Sequence, residues 1–404
     1  MLSIEDPEQS ADPESADPEI APPPGAHIEL PALRRLTPRS SAAADVIDSP
    51  TIPSLAGELQ ELLLGPPLDD VLALHPEIEE RIVRTALDVA ARAYPAERTT
   101  DRQAARWIDH DARNELHRAL LAIYQTHLRL PHLGGADNQL HPFVCRVLHL
   151  LERPWEADML RRARRQQPLT ADALPADPAA FAAWYRTTAF THPLYEHELY
   201  AWVATEATRA QIEWFLRMES AGEAAFDDLV ALGQVGTRGE VKIEMASNYW
   251  DEMGNGRSHA VHTHMFHRLI EGLSIEPPLA DDLPWQILGG VNVMIWSCIS
   301  RRNAFRAQGV LGAVELLAPQ RCTRLTHGAV RVGISKKTMS YYGAHAVIDV
   351  GHAEGWLAHV IGAQVASVPA SRVDIAEGLL VRADASLDYF DWCLGNGRGI
   401  GTRE

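Results

Sequence analysis

The chain has 404 residues, 46 % of them hydrophobic, enough to fill one large core or two ordinary ones. A formal charge of −17 with no basic cluster excludes a protein that tracks nucleic-acid phosphates. No apolar run reaches the roughly 18 residues needed to cross a bilayer, and the acidic, proline-rich start is unlike a signal peptide, so a soluble cytoplasmic protein without membrane contact is expected.

Residues 1–50 open with EDPEQSADPESADPEIAPPPG, a repeated Asp-Pro-Glu unit with almost nothing to bury, and read as a disordered acidic tail. Residues 51–170 form a helical N-terminal region. LAGELQELLL, IEERIVRTALDVAARAY and ARNELHRALLAIYQTHLRL carry apolar residues at three- and four-residue spacing, with GPPLDD and LPHLGG as breaks. IDHDARNELH crowds Asp109, His110, Asp111, Glu115 and His117 together, but arginines alternate with the acids and the stretch reads as a solvated helix face. RRARRQQPLTADALPADP reads as an exposed linker. Residues 171–395 continue as amphipathic stretches near 177–190, 195–221, 223–233, 238–253, 258–273, 281–317, 337–364 and 371–393. Residues 396–404 are a flexible C-terminus, and the glycines of GNGRGIGTR follow no strand, so they make no phosphate loop. No run alternates with period two. The expected fold is all-α.

The strongest chemical signal is YYGAHAVIDVGHAEGW. At about 100° per residue, His345, Asp349 and His352 share one stripe of a helix, and burying two imidazoles and a carboxylate there requires a partner. A metal ion is a natural one. IEMASNYWDEMGNGRSHAVHTHMFHRL offers Glu244, Asp251, Glu252, His259, His262, His264 and His267. The glycines of GNG break helical geometry there, so the sequence leaves open which of these histidines faces Glu252, with His264 the rival of His262 once the resemblance below is applied. Glu219 ends IEWFLRMES, and Glu315 lies in GVLGAVELLA among apolar residues and glycines.

Together these supply four carboxylates (Glu219, Glu252, Glu315, Asp349) and three imidazoles (His262, His345, His352). Four carboxylates balance two divalent cations, and an oxygen–nitrogen set without thiolate points to iron or manganese ahead of zinc. The four cysteines (Cys145, Cys298, Cys322, Cys393) are scattered, with no Cys-x-x-Cys pair, which suits a reducing compartment. Counting back from Glu315 by helical steps brings Gln308 and Arg301 to its face as candidate substrate-binding residues, Arg301 for a carboxylate.

HPLYEHELYAWVATEAT, FLRMESAGEAAFDDLVALGQVG, NYWDEMGNG followed by VHT, and YYGAHAVIDVGHAEGW resemble the haem-oxygenase-like di-iron oxidases, the iron-containing redox enzymes, over about residues 180–395. The resemblance implies a haem-oxygenase-like helical bundle, with residues 51–170 as an additional helical region. It implies two Fe(II) per chain and no haem. The metal ligands it implies are Glu219, Glu252, His262, Glu315, His345, Asp349 and His352, a set that matches the amine-oxygenating branch. The implied reaction activates O2 to oxidise a small molecule in specialised metabolism, an amino acid or amine by N-oxygenation or oxidative C–N or C–C cleavage, with fatty-acid oxidation as the rival. An external electron donor and a homodimer also follow from it. The alternative of another class is a metal-free helical binding or scaffold protein of the same fold.

Overall fold

A computed structural model describes residues 54–95, 108–222 and 226–401; the acidic tail and the last three residues of the C-terminus lie outside them. Among the described residues every regular element is a helix, with no strand. The N-terminal region comprises α1 (Leu55–Leu64), α2 (Leu68–Leu74), α3 (Glu77–Ala93), α4 (His110–Gln125) and α5 (Pro142–Gln166). Next come α6 (Pro178–Thr191), α7 (Glu198–Thr205), α8 (Arg209–Glu219), α9 (Phe226–Gly233), α10 (Gly239–Glu252) and α11 (His262–Gly272). Then follow α12 (Trp285–Ile299), α13 (Ala304–Arg331) and α14 (Ser340–Gly355), which runs on through a π-helical stretch at Trp356–Gly362 into α15 (Ala363–Ser367), and finally α16 (Ser371–Gly397).

Local chemistry explains several starts. The side chains of Ser54, Asp109 and Asp177 accept from backbone N–H groups in the first turns of α1, α4 and α6. Thr208 and Gln211 form a reciprocal capping box on α8. The longest helix, α13, is the axis of the bundle and packs on α14, α16, α7 and α12. Its crossing with α16 depends on glycine, because a Cβ at Gly309 would sit 2.1 Å from the Ile375 carbonyl oxygen.

Several expectations shift. The stretch 281–317 is two helices, broken at Ser300 by a 3-10 turn at Arg301–Asn303. The expected linker begins as helix: residues 161–166 complete α5, where Arg162 and Arg164 pair with Asp388 and Glu377 of α16. Those acids lie on the inner side of α16 and draw the basic end of α5 onto it. Packing therefore runs unbroken across residue 170, with α4 on α12 and α5 on α16 around a continuous core.

His117 also departs from the solvated-face reading. It is fully buried, its Nε2 2.8 Å from the Tyr94 hydroxyl and its Nδ1 3.2 Å from the Asn292 amide. The partner helix α12, remote in sequence, is what covers it.

Candidate metal centre

The centre begins where α10 stops. Gly254, Asn255 and Gly256 follow one another at φ of +60°, +53° and +79°, a left-handed run that reverses the chain after Glu252. A Cβ at Gly254 would lie 2.4 Å from the Ala260 carbonyl carbon, so the turn closes tightly on the segment leading into α11. That return delivers His262, the first residue of α11, to Glu252: Nδ1 lies 2.7 Å from Oε2. His264 instead turns back to the Ser258 carbonyl, 2.9 Å away. The structure thus puts His262 on Glu252 and leaves His264 outside.

Two overlapping triads result. Glu252, His262 and His345 present ligand atoms all within 4.8 Å of one another, and so do Glu252, Glu315 and His352. All five residues are buried. Asp349 joins the second triad, its Oδ1 3.6 Å from His352 Nδ1, and Glu315 Oε2 lies 3.4 Å from the same nitrogen.

The protein holds these side chains from behind. His345 Nδ1 bonds the Tyr341 carbonyl one turn back at 2.9 Å, leaving Nε2 to face Glu252 and His262. His352 Nε2 bonds Asp251 at 3.1 Å, which directs Nδ1 inward, and the Asn248 amide donates to Glu315 Oε1 at 3.0 Å. Pro319, four residues beyond Glu315, cannot donate to the Glu315 carbonyl, so the helix is interrupted beside this ligand.

The inward atoms are otherwise unsatisfied. His262 Nδ1, Asp349 Oδ1 and His352 Nδ1 are buried without a hydrogen-bond partner. These nitrogens lie 2.7–3.6 Å from carboxylate oxygens, so a cation placed among them would satisfy both kinds of atom. Burial lowers the affinity of the His352 imidazole for its proton, but Asp349, Glu315 and Asp251 outweigh that and raise its pKa to about 11. Glu252 likewise outweighs burial at His262 and raises it. Burial also raises Glu315. Positive charge is what this pocket attracts. A donor set of carboxylate oxygens and imidazole nitrogens fits iron.

Glu219 stands apart from both triads. Its buried carboxylate pairs with Arg321 and accepts from the Tyr389 hydroxyl at 2.7 Å and the Tyr342 hydroxyl at 3.4 Å. Six of the seven sequence candidates are therefore gathered together, and Glu219 is paired with Arg321, which lines the same cavity. Arg301 and Gln308 line a cavity that none of the seven lines. Arg301 belongs to the 3-10 turn, out of register with α13. Gln308 lies about 10 Å along the axis from Glu315, bonded to Gln364 at 3.0 Å.

Sequence reasoning passed over Asn248, Arg321 and Tyr389, and singled out Asp251 only as a ligand candidate. Asn248, four residues before Glu252 on the same helix face, carried a usable signal. Tyr389 carried none.

Residues 213–387 match the family described as iron-containing redox enzymes. That segment is similar to the family and spans less than half of the chain. All seven candidate ligands fall within the matched residues. No curated protein matches the chain. Among solved structures, a CADD-like protein of unknown function from Nostoc punctiforme is similar at 16 % identity and a TM-score of 0.42, covering 53 % of this chain and 96 % of that one. No described helix of the chain is long and apolar enough to cross a membrane.

Proposed function

We propose that this chain is a non-haem di-iron oxidase or oxygenase, with Glu252 a member of both groups of residues that would hold the metal. The observation that carries the reading is the pair of triads meeting at Glu252. Glu252, His262 and His345 would hold one iron, and Glu252, Glu315 and His352 the other, with Asp349 beside the second. Glu219 completes the proposed set once it leaves Arg321. Bound iron would supply the electrons and the open coordination positions for O2 chemistry, without haem.

The chain's own residues do the rest. Asp251, Asn248 and the Tyr341 carbonyl fix which atoms face inward. Met294, Val314, Ala318 and Phe226 line the adjoining cavity and exclude bulk water. The substrate we propose is a small nitrogen compound, an amino acid or amine, oxidised at nitrogen or at a C–N or C–C bond in specialised metabolism, with an external donor supplying any further electrons. A homodimer is part of the same reading. Ile243 and Trp250 on α10, and Val347 and Val350 on α14, offer exposed apolar surface for it.

The test is metal analysis of protein produced with added iron, alongside O2 consumption with amino-acid, amine and fatty-acid panels. Up to two irons per chain and substrate-dependent O2 uptake are expected. Protein that takes up no iron would end the reading and return the chain to the metal-free scaffold class.

A further inference from the structure

A cavity of about 910 Å³ opens at the start of α10, the end opposite Glu252, and shares no lining residue with the cavity at the metal centre. Residues 236–239 form one side of it and lead into α10. Arg301, Phe305 and Gln308 come from the junction of α12 and α13, and Gln364 and Val368 close it from α15 and its end.

The charges around this cavity do not cancel. Arg302 is taken by Glu152 and Glu156, Glu240 by His359, and Asp374 by Arg306. Arg238 and Arg301 remain, and among the described residues neither meets a carboxylate. The turn before α10 brings the two together. A Cβ at Gly236 would sit 2.9 Å from Arg301 Nη2, so that guanidinium lies on the backbone two residues before Arg238. No side chain caps the first turn of α10, which leaves its amides and the positive end of the helix dipole for a ligand or water. Two unmatched guanidiniums at such an end suit an anion.

The inner wall adds an independent sign of a ligand. Gln308 is 1 % exposed, yet its Oε1 has no hydrogen-bond partner among the described residues. Its Nε2 donates to Gln364 Oε1 at 3.0 Å, which leaves the Gln364 amide nitrogen over as well. Turning both amides round exchanges these roles and still leaves one acceptor and one donor. A buried acceptor costs free energy until something donates to it.

We propose that this cavity binds a small organic phosphate. Its phosphoryl group sits on Arg238, Arg301 and the first turn of α10, and a donor–acceptor group on its body meets Gln308 and Gln364. Two planar forks and a helix N-terminus match a dianionic, tetrahedral group with several acceptor oxygens. Sugar hydroxyls or the edge of a nucleobase supply the donor and acceptor, and the half-buried Phe305 offers a ring to a base. The ligand is distinct from the compound oxidised at the metal centre, because Gln308 and Glu315 stand about 10 Å apart along α13. This inference does not depend on the di-iron reading.

The experiment is calorimetric binding to the full-length protein, iron-loaded and again after chelation, so that phosphate held by metal is told apart. The ligands are AMP, ribose 5-phosphate, inorganic phosphate and adenosine. AMP or ribose 5-phosphate should bind about tenfold or more tighter than both inorganic phosphate and adenosine, with and without iron. AMP preferred over ribose 5-phosphate selects a nucleotide, and the reverse selects a sugar phosphate. Arg238→Gln and Arg301→Gln, both at exposed positions, should each weaken that binding about tenfold with melting temperature and iron content unchanged. Arg301→Lys should retain part of it. Gln308→Leu should weaken the organic phosphate and leave inorganic phosphate unaffected.

Inorganic phosphate binding as tightly as either organic phosphate means an adventitious anion only, and overturns the proposal. Adenosine binding as tightly as AMP, or organic phosphate binding that vanishes on chelation, overturns it too. Ala366→Trp changes an exposed position of the wall and fills the cavity, so it serves if Gln308→Leu folds poorly. Organic-phosphate binding that survives Ala366→Trp undiminished also overturns the proposal.

Discussion

Two buried polar clusters in this molecule are built from similar residues and solve the charge problem differently. Glu377 on α16 is fully buried, and each of its oxygens receives a guanidinium: Arg164 on Oε1 at 2.8 Å and Arg306 on Oε2 at 3.0 Å. At the metal centre Glu252, Glu315 and Asp349 face imidazoles and one amide. The first cluster is closed by the chain itself. The second leaves three inward atoms without hydrogen bonds. Unsatisfied geometry, rather than the presence of acids and histidines, is what separates a functional cluster from a structural one. Glu219 belongs to the first kind in its pairing with Arg321 and to the second in the family resemblance.

The comparison breaks most visibly at Glu252. Glu252→Ala removes the residue common to both triads, so iron content should fall from up to two per chain to near zero, with helicity retained. Elemental analysis and circular dichroism check this, and a variant holding both irons would dissolve the shared-ligand geometry. Glu377→Ala should do the converse. Removing one partner of a buried ion pair costs about 3 kcal/mol, seen as a lower melting temperature with iron stoichiometry unchanged. Loss of iron together with stability would show that the clusters are not independent.

A third cluster sharpens the contrast through pH. Burial and the charge of Arg113 lower the His117 pKa to about 3. A group depressed in the folded state contributes stability that is fully present above its unfolded value of about 6.5 and is lost as pH falls through 6.5 towards 3, at about 1.4 kcal/mol per pH unit. Urea unfolding of wild type and His117→Gln at pH 7 and pH 5 should show the wild type losing about 2 kcal/mol more than the variant. Parallel losses would remove His117 from the acid limb. The smallest effect is expected behind the ligands. Asp251→Ala frees the outer nitrogen of His352 and should weaken metal affinity about tenfold, measured by competition with a chelator.

Much of this was legible before folding. His345, Asp349 and His352 could be placed on one face because α14 is continuous through all three. Glu315 could be picked out because its neighbours within a turn are apolar or glycine. His262 could not be fixed, since its place depends on three successive left-handed residues, and helical counting fails across them. His117 was misread because the residues that bury it, Tyr94, Trp285 and Asn292, come from other helices. The break between α12 and α13 escaped notice because Ser300–Asn303 contains neither glycine nor proline. Residue chemistry is local and pattern-bearing, whereas turn angles and remote coverage are not written in any short window.

The reversal at Gly254, Asn255 and Gly256 has one more consequence. Residues 253–261 are an excursion between two helices, and the relation of His262 to Glu252 depends on its length. Lengthening or shortening this excursion by a single residue would leave the bundle standing and rotate a different side chain into the pocket. The loop is a ruler for the chemistry and slack for the fold, so a one-residue indel here is a change by which the scaffold could persist while the metal site disappears.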